Sequence, residues 1–373
     1  MHVGASPLER WFTLRPGPYR HMLGGAAVEA WPHVALQEMV GPLEFDLDWG
    51  YDTPQGCDSL RALIAEDEGL PAEDGVLLTQ GASEGNFLAL AALLSPGDRV
   101  IMQWPIYPQL RALAQAWGAQ VHLWRPSDGH SSWEVDTLLD GVDSSVRLVV
   151  LNSPHNPTGH CLEPSDLARV VEAVRGTTRG HLLLDEVYRG LAPSPGSTLR
   201  RLGPARLLVT NSVSKAWGLP GARVGWLAGD SSVLADAVLW REHNGLALSN
   251  TATAWVRHIW PHKDRLMAAN QAILARNRAM VEAWLAERPD LRGGLSPHAG
   301  VCLLGIHAAL PFDDQTFAEA CYRDDRVLVI PGGTIGMPGV LRVGIGQRDA
   351  TVLKGGLDYL DARLSAWSRT GAP

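Results

Sequence analysis

Lys215 is the residue whose position most clearly indicates chemistry. The chain has only three lysines, and the other two, Lys263 and Lys354, lie in polar or glycine-containing surroundings that are ordinary for a surface. Lys215 instead follows the apolar run 207–213, and Arg223 comes eight residues later. Partial burial beside a second cation lowers the pKa of a lysine and favours Schiff-base chemistry. The alternative for this segment alone is a surface lysine whose amine stays in water.

Asp185 ends another apolar run, in the segment Leu183-Leu184-Asp185-Glu186-Val187-Tyr188. A carboxylate at the end of a buried strand is costly unless it meets a cation or a metal ion. The partner could be the protonated ring nitrogen of a bound cofactor, or Mg²⁺ in a nucleotide site. The second option needs a G-x-x-x-x-G-K-[ST] loop, which the chain lacks. A strand-end cap on a loop is the interpretation without chemistry.

Gly81, Ala82 and Ser83 lie between the apolar run 76–79 and a helical pattern. A glycine turn that leads into a helix binds phosphate, because the free amides and the helix dipole favour an anion there. The same letters, Gly81 to Gly85, also match G-x-S-x-G, the nucleophile elbow of α/β-hydrolases. Both interpretations therefore stay open for this turn.

The histidines do not indicate a single site. A hydrolase that used Ser83 would need an acid such as Asp185 and then a later histidine, for which the candidates are His243, His258 and His298. No spacing links them to Ser83. His258 and His262 have the spacing of helical metal ligands, but Pro261 lies between them and no zincin glutamate is present. We predict no metal site.

The segment Asn152-Ser153-Pro154-His155-Asn156-Pro157-Thr158-Gly159 closes a further apolar run with two X-Pro bonds. Such a pair can hold a constrained loop and orient one side chain, for which Asn156 is the candidate. A simple turn is the alternative.

Seven short apolar runs between residues 75 and 229 alternate with helical patterns. Their apolarity is continuous, as in strands buried on both faces, and intervening helices imply crossovers in a largely parallel sheet. The predicted strands are 76–79, 99–103, 121–124, 146–151, 181–187, 207–213 and 223–228. Long helices and a second group of strands, at 301–307, 327–330 and 340–345, come after them. We predict an N-terminal arm over 1–45 that packs on the second unit, a large domain over 46–270 and a small domain over 271–373.

Composition limits the classes of protein that this chain can be. With 373 residues, 46% of them hydrophobic and 19% charged, it is globular rather than disordered or fibrous. A net charge of −8 argues against a nucleic-acid partner. The four cysteines are far apart, and no apolar run is long enough for a membrane span. We expect a cytoplasmic protein without a membrane partner.

Together, these segments resemble the class I/II aminotransferases of fold type I, which use pyridoxal 5′-phosphate (PLP). The resemblance extends from about Tyr51 to Arg342, with the motifs in the family's order. It implies an α/β large domain with a mixed, mostly parallel seven-stranded sheet flanked by helices, and a smaller α+β domain. It also implies PLP as cofactor, a small amino acid substrate and a homodimer with shared active sites.

The resemblance also implies a role for each candidate residue. Lys215 corresponds to the Schiff-base lysine, Asp185 to the partner of the ring nitrogen, and Tyr188 and Asn156 to the groups that bind the ring hydroxyl. Tyr107 corresponds to the aromatic ring that stacks on the pyridine. The phosphate ligands would be Gly81, Ala82, Ser83, Ser212 and Arg223, with Tyr51 from the neighbouring subunit. The substrate would be bound by Arg342 through its carboxylate, with Gly25 and Asn156 beside it.

The expected reaction is PLP-dependent transamination between an α-amino acid or related amine and a 2-oxo acid. Dicarboxylate-specific relatives carry an extra arginine near the stretch 244–250, and none is present there, so an aspartate-type preference is not expected. The stretch 22–29 departs from the family's common substrate loop and is similar to a branch that includes capreomycidine synthase-like enzymes, which cyclise arginine derivatives. A PLP-dependent lyase or cyclase, acting by β- or γ-elimination and ring closure, is the first alternative, and a serine hydrolase using Ser83 is the second.

Overall fold

The computed structural model describes residues 2–42, 47, 49–71, 73–127, 132–194, 196–306 and 313–370. Within those ranges the helices are α1 (Pro7–Thr13), α2 (His33–Val40), α3 (Asp58–Glu68), α4 (Ala82–Leu93), α5 (Pro108–Ala116), α6 (Val135–Leu139), α7 (Pro164–Arg175), α8 (Thr198–Leu202), α9 (Ser231–Glu242), α10 (Asn250–Ile259), α11 (Lys263–Ala286), α12 (Asp314–Asp325) and α13 (Ala350–Thr370). The strands are β1 (His21–Met22), β2 (Val76–Thr79), β3 (Arg99–Gln103), β4 (Gln120–Trp124), β5 (Val146–Asn152), β6 (His181–Asp185), β7 (Leu207–Ser212), β8 (Gly225–Gly229), β9 (Arg292–Leu295), β10 (Val301–Gly305), β11 (Val327–Leu328), β12 (Ile330–Pro331) and β13 (Val340–Gly344).

A seven-stranded sheet forms the centre of the molecule, in the order β2-β8-β7-β6-β5-β3-β4. Strands β3 to β7 pair in parallel, and β8 runs antiparallel to both of its neighbours. The continuous apolar runs become strands covered on both faces, as in β6, where Leu182, Leu183 and Leu184 are fully buried. Each such leucine contributes about 1.5–3 kcal/mol relative to an exposed one. The predicted α/β fold with a mixed, mostly parallel seven-stranded sheet is confirmed.

The second group of strands forms an antiparallel sheet in the order β12-β13-β10-β9. The predicted single strand 327–330 is wrong in detail. It divides at Val329 into β11, which pairs in parallel with β1, and β12, which pairs with β13. The chain thus passes from one sheet to another within four residues, and an apolar pattern does not reveal which strand is the partner.

The N-terminal segment lies against the C-terminal part of the chain. His21 and Met22 of β1 pair with Val327 and Leu328, and the indole Nε1 of Trp11 donates a hydrogen bond to the carbonyl of Val329. The predicted domain limit between residues 45 and 46 falls outside the described residues, and the division near residue 270 stays a prediction. In the described part of the chain, no helix is both long and apolar enough to span a bilayer.

Parallel strands place the candidate residues at one edge of the central sheet. Asn152 is the last residue of β5, Asp185 of β6 and Ser212 of β7, and Asn152 and Asp185 are directly paired in the sheet register. Because carboxyl ends of parallel strands share an edge, three loops that are far apart in sequence begin side by side there.

Candidate active site

A cavity of about 290 Å³ opens at this edge of the central sheet. Its charged lining groups are Lys215, Arg223 and Arg342, which are cationic, and Asp185 and Glu9, which are anionic. The concentration of five charged side chains around one cavity is typical of a site that binds charged ligands and performs proton transfer.

Asp185 lies on the floor of the cavity and is 5% exposed. Its Oδ2 accepts a hydrogen bond from Asn86 Nδ2 (3.0 Å), and its Oδ1 accepts one from the Val187 amide (3.0 Å). Burial raises the pKa of the Asp185 carboxyl, while Asn86, the Val187 amide and the more distant Lys215 oppose that shift. The carboxylate therefore needs a cationic group from a ligand for its full stabilisation.

Lys215 is half-buried in the turn after β7 and lines the same cavity. Its ammonium lies 5.8 Å from the centre of the Tyr188 ring. Burial, together with repulsion from Arg342, lowers the pKa of the Lys215 amine to about 8, against the opposing attraction of Asp185. About a tenth of the amine is thus unprotonated at pH 7, far more than for an ordinary lysine, which makes it a nucleophile and a base.

The turn into α4 has the geometry of an anion site. Gly81 has φ +77°, and a Cβ there would lie 2.6 Å from Arg223 Nη2, so only glycine fits. Arg223 itself has φ +52° and donates hydrogen bonds to the carbonyls of Gln80 (2.9 Å) and Pro220 (3.1 Å). The first amides of α4, at Ala82 and Ser83, have no acceptor within the helix. The guanidinium and these amides therefore converge where a phosphate would bind.

The loop after β5 is fixed by Asn152. Its side chain donates to the Asp185 carbonyl (2.8 Å) and accepts from the Asn156 amide (2.7 Å). The ring nitrogens of His155 form hydrogen bonds with Pro105 O (2.6 Å) and Thr158 Oγ1 (2.8 Å), and burial lowers the pKa of the ring to about 4. These contacts hold Asn156 at the cavity wall.

Arg342, on β13, is 2% exposed and enters the cavity from the second sheet. Its Nη2 donates to the carbonyl of Gly24 (3.0 Å), and its Nη1 lies 3.5 Å from Asn156 Oδ1. Among the described residues its Nε has no hydrogen-bond partner. A buried guanidinium with spare donors is suited to a carboxylate ligand, which it can bind in a bidentate manner. Gly25 lines the cavity beside it.

Two tyrosines complete the wall. Burial raises the pKa of both Tyr188 and Tyr107, so each hydroxyl stays protonated and can donate a hydrogen bond. The Tyr107 hydroxyl donates to Glu9 Oε1 at 2.9 Å.

The structure brings most of the predicted site residues together. All of them line the cavity except Gly81, which forms the turn beneath Arg223, and Tyr51, which is 91% exposed on the surface. Sequence reasoning missed Glu9, Asn86 and Asn152. Asn86 carried a usable signal, since it is the polar residue in the otherwise apolar stretch 85–94. Glu9 carried none.

The hydrolase alternative for Ser83 finds no support in this geometry. Ser83 is the second residue of α4, and it is not among the described residues with positive φ, whereas a nucleophile elbow is a strained turn. Of the histidines in the described ranges, none lines the cavity. Ser83 therefore has no histidine as general base among the described residues that line the cavity.

The donor set fits PLP. The cofactor has a phosphate, a ring nitrogen that is protonated when it meets a carboxylate, a ring hydroxyl and an aldehyde. The α4 turn with Arg223, the buried Asp185, the Tyr188–Asn156 pair and the Lys215 amine offer one complementary group to each. The buried Asp185 carboxylate, which lacks a close cationic partner in the described part of the chain, is the observation that most specifically requires such a ligand.

Comparisons with known proteins agree with this fit. The family model "Aminotransferase class I and II" matches residues 17–358. Capreomycidine synthase of Streptomyces vinaceus is 30% identical over 350 residues, which cover 91% of this chain and 89% of that protein. The PLP-dependent cyclase OrfR has a similar structure, with a TM-score of 0.86, 26% identity and 98% of each chain covered.

A PLP-dependent aminotransferase from Streptococcus suis shares the fold, with a TM-score of 0.89, 22% identity and coverage of 98% of this chain and 99% of that one. The family model spans most of the chain, and the relative from Streptomyces vinaceus aligns over nearly the full length of both proteins. The chain belongs to the class I and II aminotransferases, a family of enzymes that use pyridoxal phosphate.

Proposed function

We propose that this protein transfers the amino group of an α-amino acid, or a related amine, to a 2-oxo acid. The observation that carries the proposal is the placement of Lys215, Asp185 and Arg342 around one cavity. Lys215 supplies a base, Asp185 supplies a partner for the pyridinium, and Arg342 supplies a binding group for the substrate carboxylate. Amino-group transfer requires all three.

The residues that we assign to the cofactor divide by the part of it that they bind. Ala82, Ser83, Ser212 and Arg223 bind the phosphate, with Gly81 keeping the turn close enough. Asp185 would bind the ring nitrogen and keep it protonated, Tyr188 and Asn156 would bind the ring hydroxyl, and Tyr107 would contact the ring. When bound, PLP withdraws electrons from the substrate Cα and so stabilises the charge left by proton removal.

Lys215 and Arg342 act on the substrate. The Arg342 guanidinium binds the α-carboxylate, and the carbonyl of Gly24 orients it. Lys215 Nζ would hold the cofactor through a covalent link until the substrate amine replaces it. The freed Lys215 amine would then be the base that takes the Cα proton and the acid that gives it back. Its depressed pKa suits both the removal and the return of that proton.

A PLP-dependent cyclisation is a second candidate, favoured by the similarity to capreomycidine synthase and to the cyclase OrfR. Both reactions begin with removal of the Cα proton, and they differ in the later steps. A transaminase supplied with amino donor alone accumulates pyridoxamine phosphate in proportion to enzyme. A lyase or cyclase regenerates the aldehyde and releases a product that lacks the β or γ substituent.

We further propose a homodimer in the cytoplasm. Exposed aromatic side chains at Trp49 and Tyr51 support a partner subunit at that surface. The free thiols of Cys57, Cys161, Cys302 and Cys321 support a reducing compartment.

The test is borohydride reduction of the PLP-loaded protein, with peptide mass mapping of the product. We expect the reduced adduct on Lys215, with none after Lys215→Ala, and an unchanged adduct after the control Lys263→Ala. An adduct on another lysine, or full turnover by Lys215→Ala, would contradict the assignment.

A further inference from the structure

One charged group in the cavity has no counterpart in the cofactor or in the amino acid backbone. Under the proposed function, Arg223 meets the phosphate, Arg342 meets the α-carboxylate, and Asp185 meets the pyridinium. Lys215 forms the covalent link. Glu9 is the fifth charged lining group, and it remains unassigned.

Glu9 is held at the cavity by a docked helix. Trp11, two residues further along α1, is 3% exposed and donates its indole N–H to the Val329 carbonyl at 2.9 Å. Arg15 stacks on the Trp11 ring, with 3.4 Å between its guanidinium carbon and the ring centre, and its Nε donates to Glu319 at 3.1 Å. The backbone at Glu9 is thus held by packing of the helix, while its exposed carboxylate is held at the cavity by the Tyr107 hydroxyl.

The Glu9 carboxylate has capacity for a cation. Its Oε1 accepts the Tyr107 hydroxyl (2.9 Å), while in the described ranges neither oxygen has an arginine, lysine or histidine within ion-pair distance. Leu8 and Phe12, on the same helix, also line the cavity and supply apolar surface beside it. A substrate whose side chain has an apolar stem and a cationic end matches that arrangement.

We propose that Glu9 selects substrates whose side chain ends in a positive charge, such as a guanidinium or an ammonium group. This inference rests on the proposed function, since the cavity must first bind an α-amino acid. A distal carboxylate would instead face Glu9 and be repelled. The described cavity lining offers no cation for a distal carboxylate beyond those already assigned.

The experiment compares amino acids of similar shape and different charge on the PLP-loaded protein. L-Arginine is compared with L-citrulline, and L-lysine with L-norleucine, by titrating the change in cofactor absorbance at fixed pH. We expect half-saturation for the cationic member at a concentration roughly 5- to 20-fold lower than for its neutral counterpart, as for one partly exposed charge-assisted contact. Raising the ionic strength should reduce that preference.

Glu9→Gln removes the charge and keeps a hydrogen-bond acceptor for Tyr107. We expect it to abolish the preference for the cationic member within each pair. Glu38→Gln, an equal change of charge on α2 outside the cavity, should keep the wild-type preference. Equal response to both members of each pair, or an unchanged preference in Glu9→Gln, would overturn the inference. If no amino acid alters the absorbance and borohydride labels no lysine, the proposed function itself has failed.

Discussion

The amine of Lys215 is prepared for reaction by its surroundings before any ligand binds. Burial and the Arg342 guanidinium lower its pKa from 10.5 to about 8. Only the unprotonated amine attacks an aldehyde, so the rate of PLP incorporation into apoprotein should rise about tenfold per pH unit below 8 and level off above it. Stopped-flow absorbance with saturating PLP measures this rate.

Arg342→Gln is the variant to compare with the wild type in this pH dependence of PLP incorporation. It removes a positive charge that opposes protonation of Lys215, so the inflection should move to higher pH. A rate that keeps rising beyond pH ~9 in the wild type would show that the amine is not perturbed.

Asn86 is expected to control the charge on Asp185. It donates to the Asp185 carboxylate and accepts from the Thr210 hydroxyl (2.8 Å), all within buried surroundings. Asn86→Leu removes a hydrogen bond that lowers the pKa of Asp185, so that pKa rises and the acidic limb of kcat/KM moves to higher pH. We expect a loss of about tenfold in kcat/KM at neutral pH.

Thr210→Val should also move the acidic limb of the kcat/KM profile to higher pH, but by a smaller amount than Asn86→Leu. It removes only the hydroxyl that orients Asn86. Thr253→Val, at another buried threonine whose hydroxyl bonds to backbone carbonyls at the start of α10, is the control and should leave the limb in place. An unmoved limb in Asn86→Leu would indicate that Asn86 has only a packing role.

At the residue scale, the sequence predicted groups that occupy strand ends. Lys215 and Asp185 each come after an apolar run, and the parallel sheet brings such ends to one edge whatever their separation in sequence. Glu9 has no such signal. It lies in a short N-terminal helix whose docking depends on Trp11 and on strands more than 300 residues later, so its approach to Tyr107 is a tertiary result.

Helix α1 is the element whose docking closes one side of the cavity. Trp11→Phe removes the hydrogen bond to Val329 and reduces the stacking of Arg15. We expect a loss of about 1–2 kcal/mol of local stability and, because Leu8 and Phe12 leave the wall more often, a several-fold rise in KM for amino acid substrates.

Limited proteolysis of segment 2–20 reports the loosening of α1 directly. Borohydride labelling of Lys215 should persist in Trp11→Phe, since Lys215 belongs to the turn after β7 of the central sheet. Faster cleavage with an unchanged KM would mean that α1 contributes nothing to substrate binding.

At the element scale, predictability depended on burial. The central strands differ from the predicted bounds by no more than two residues at either end, because strands covered on both faces require uninterrupted apolar runs. The difference at Arg223 is instructive. This residue was predicted as the first of a strand, but it adopts φ +52°, which is incompatible with extended backbone, and the strand begins at Gly225.

At the scale of the whole molecule, one predicted cofactor ligand, Tyr51, does not line the cavity of its own chain. Tyr51 is 91% exposed and Trp49 is 84% exposed, in a segment tethered by a hydrogen bond from Asn250 Nδ2 to the Gly50 carbonyl (2.7 Å). Two neighbouring large aromatic side chains on a surface are typical of an interface. In a symmetric dimer, the same surface on each chain reaches the other, so two Tyr51 side chains would serve two cavities.

Co-expression of two differently tagged inactive variants tests this exchange. In a hybrid of Lys215→Ala with Tyr51→Ala, one cavity combines Lys215 of the second chain with Tyr51 of the first, and that cavity is complete if Tyr51 acts across the interface. If the chains pair at random, about half of the dimers are hybrids, and each hybrid has one intact site out of two. About a quarter of all sites are then intact, so the mixture should show about a quarter of wild-type activity. If Tyr51 served its own chain, no hybrid would contain an intact site and activity would stay at the average of the two variants.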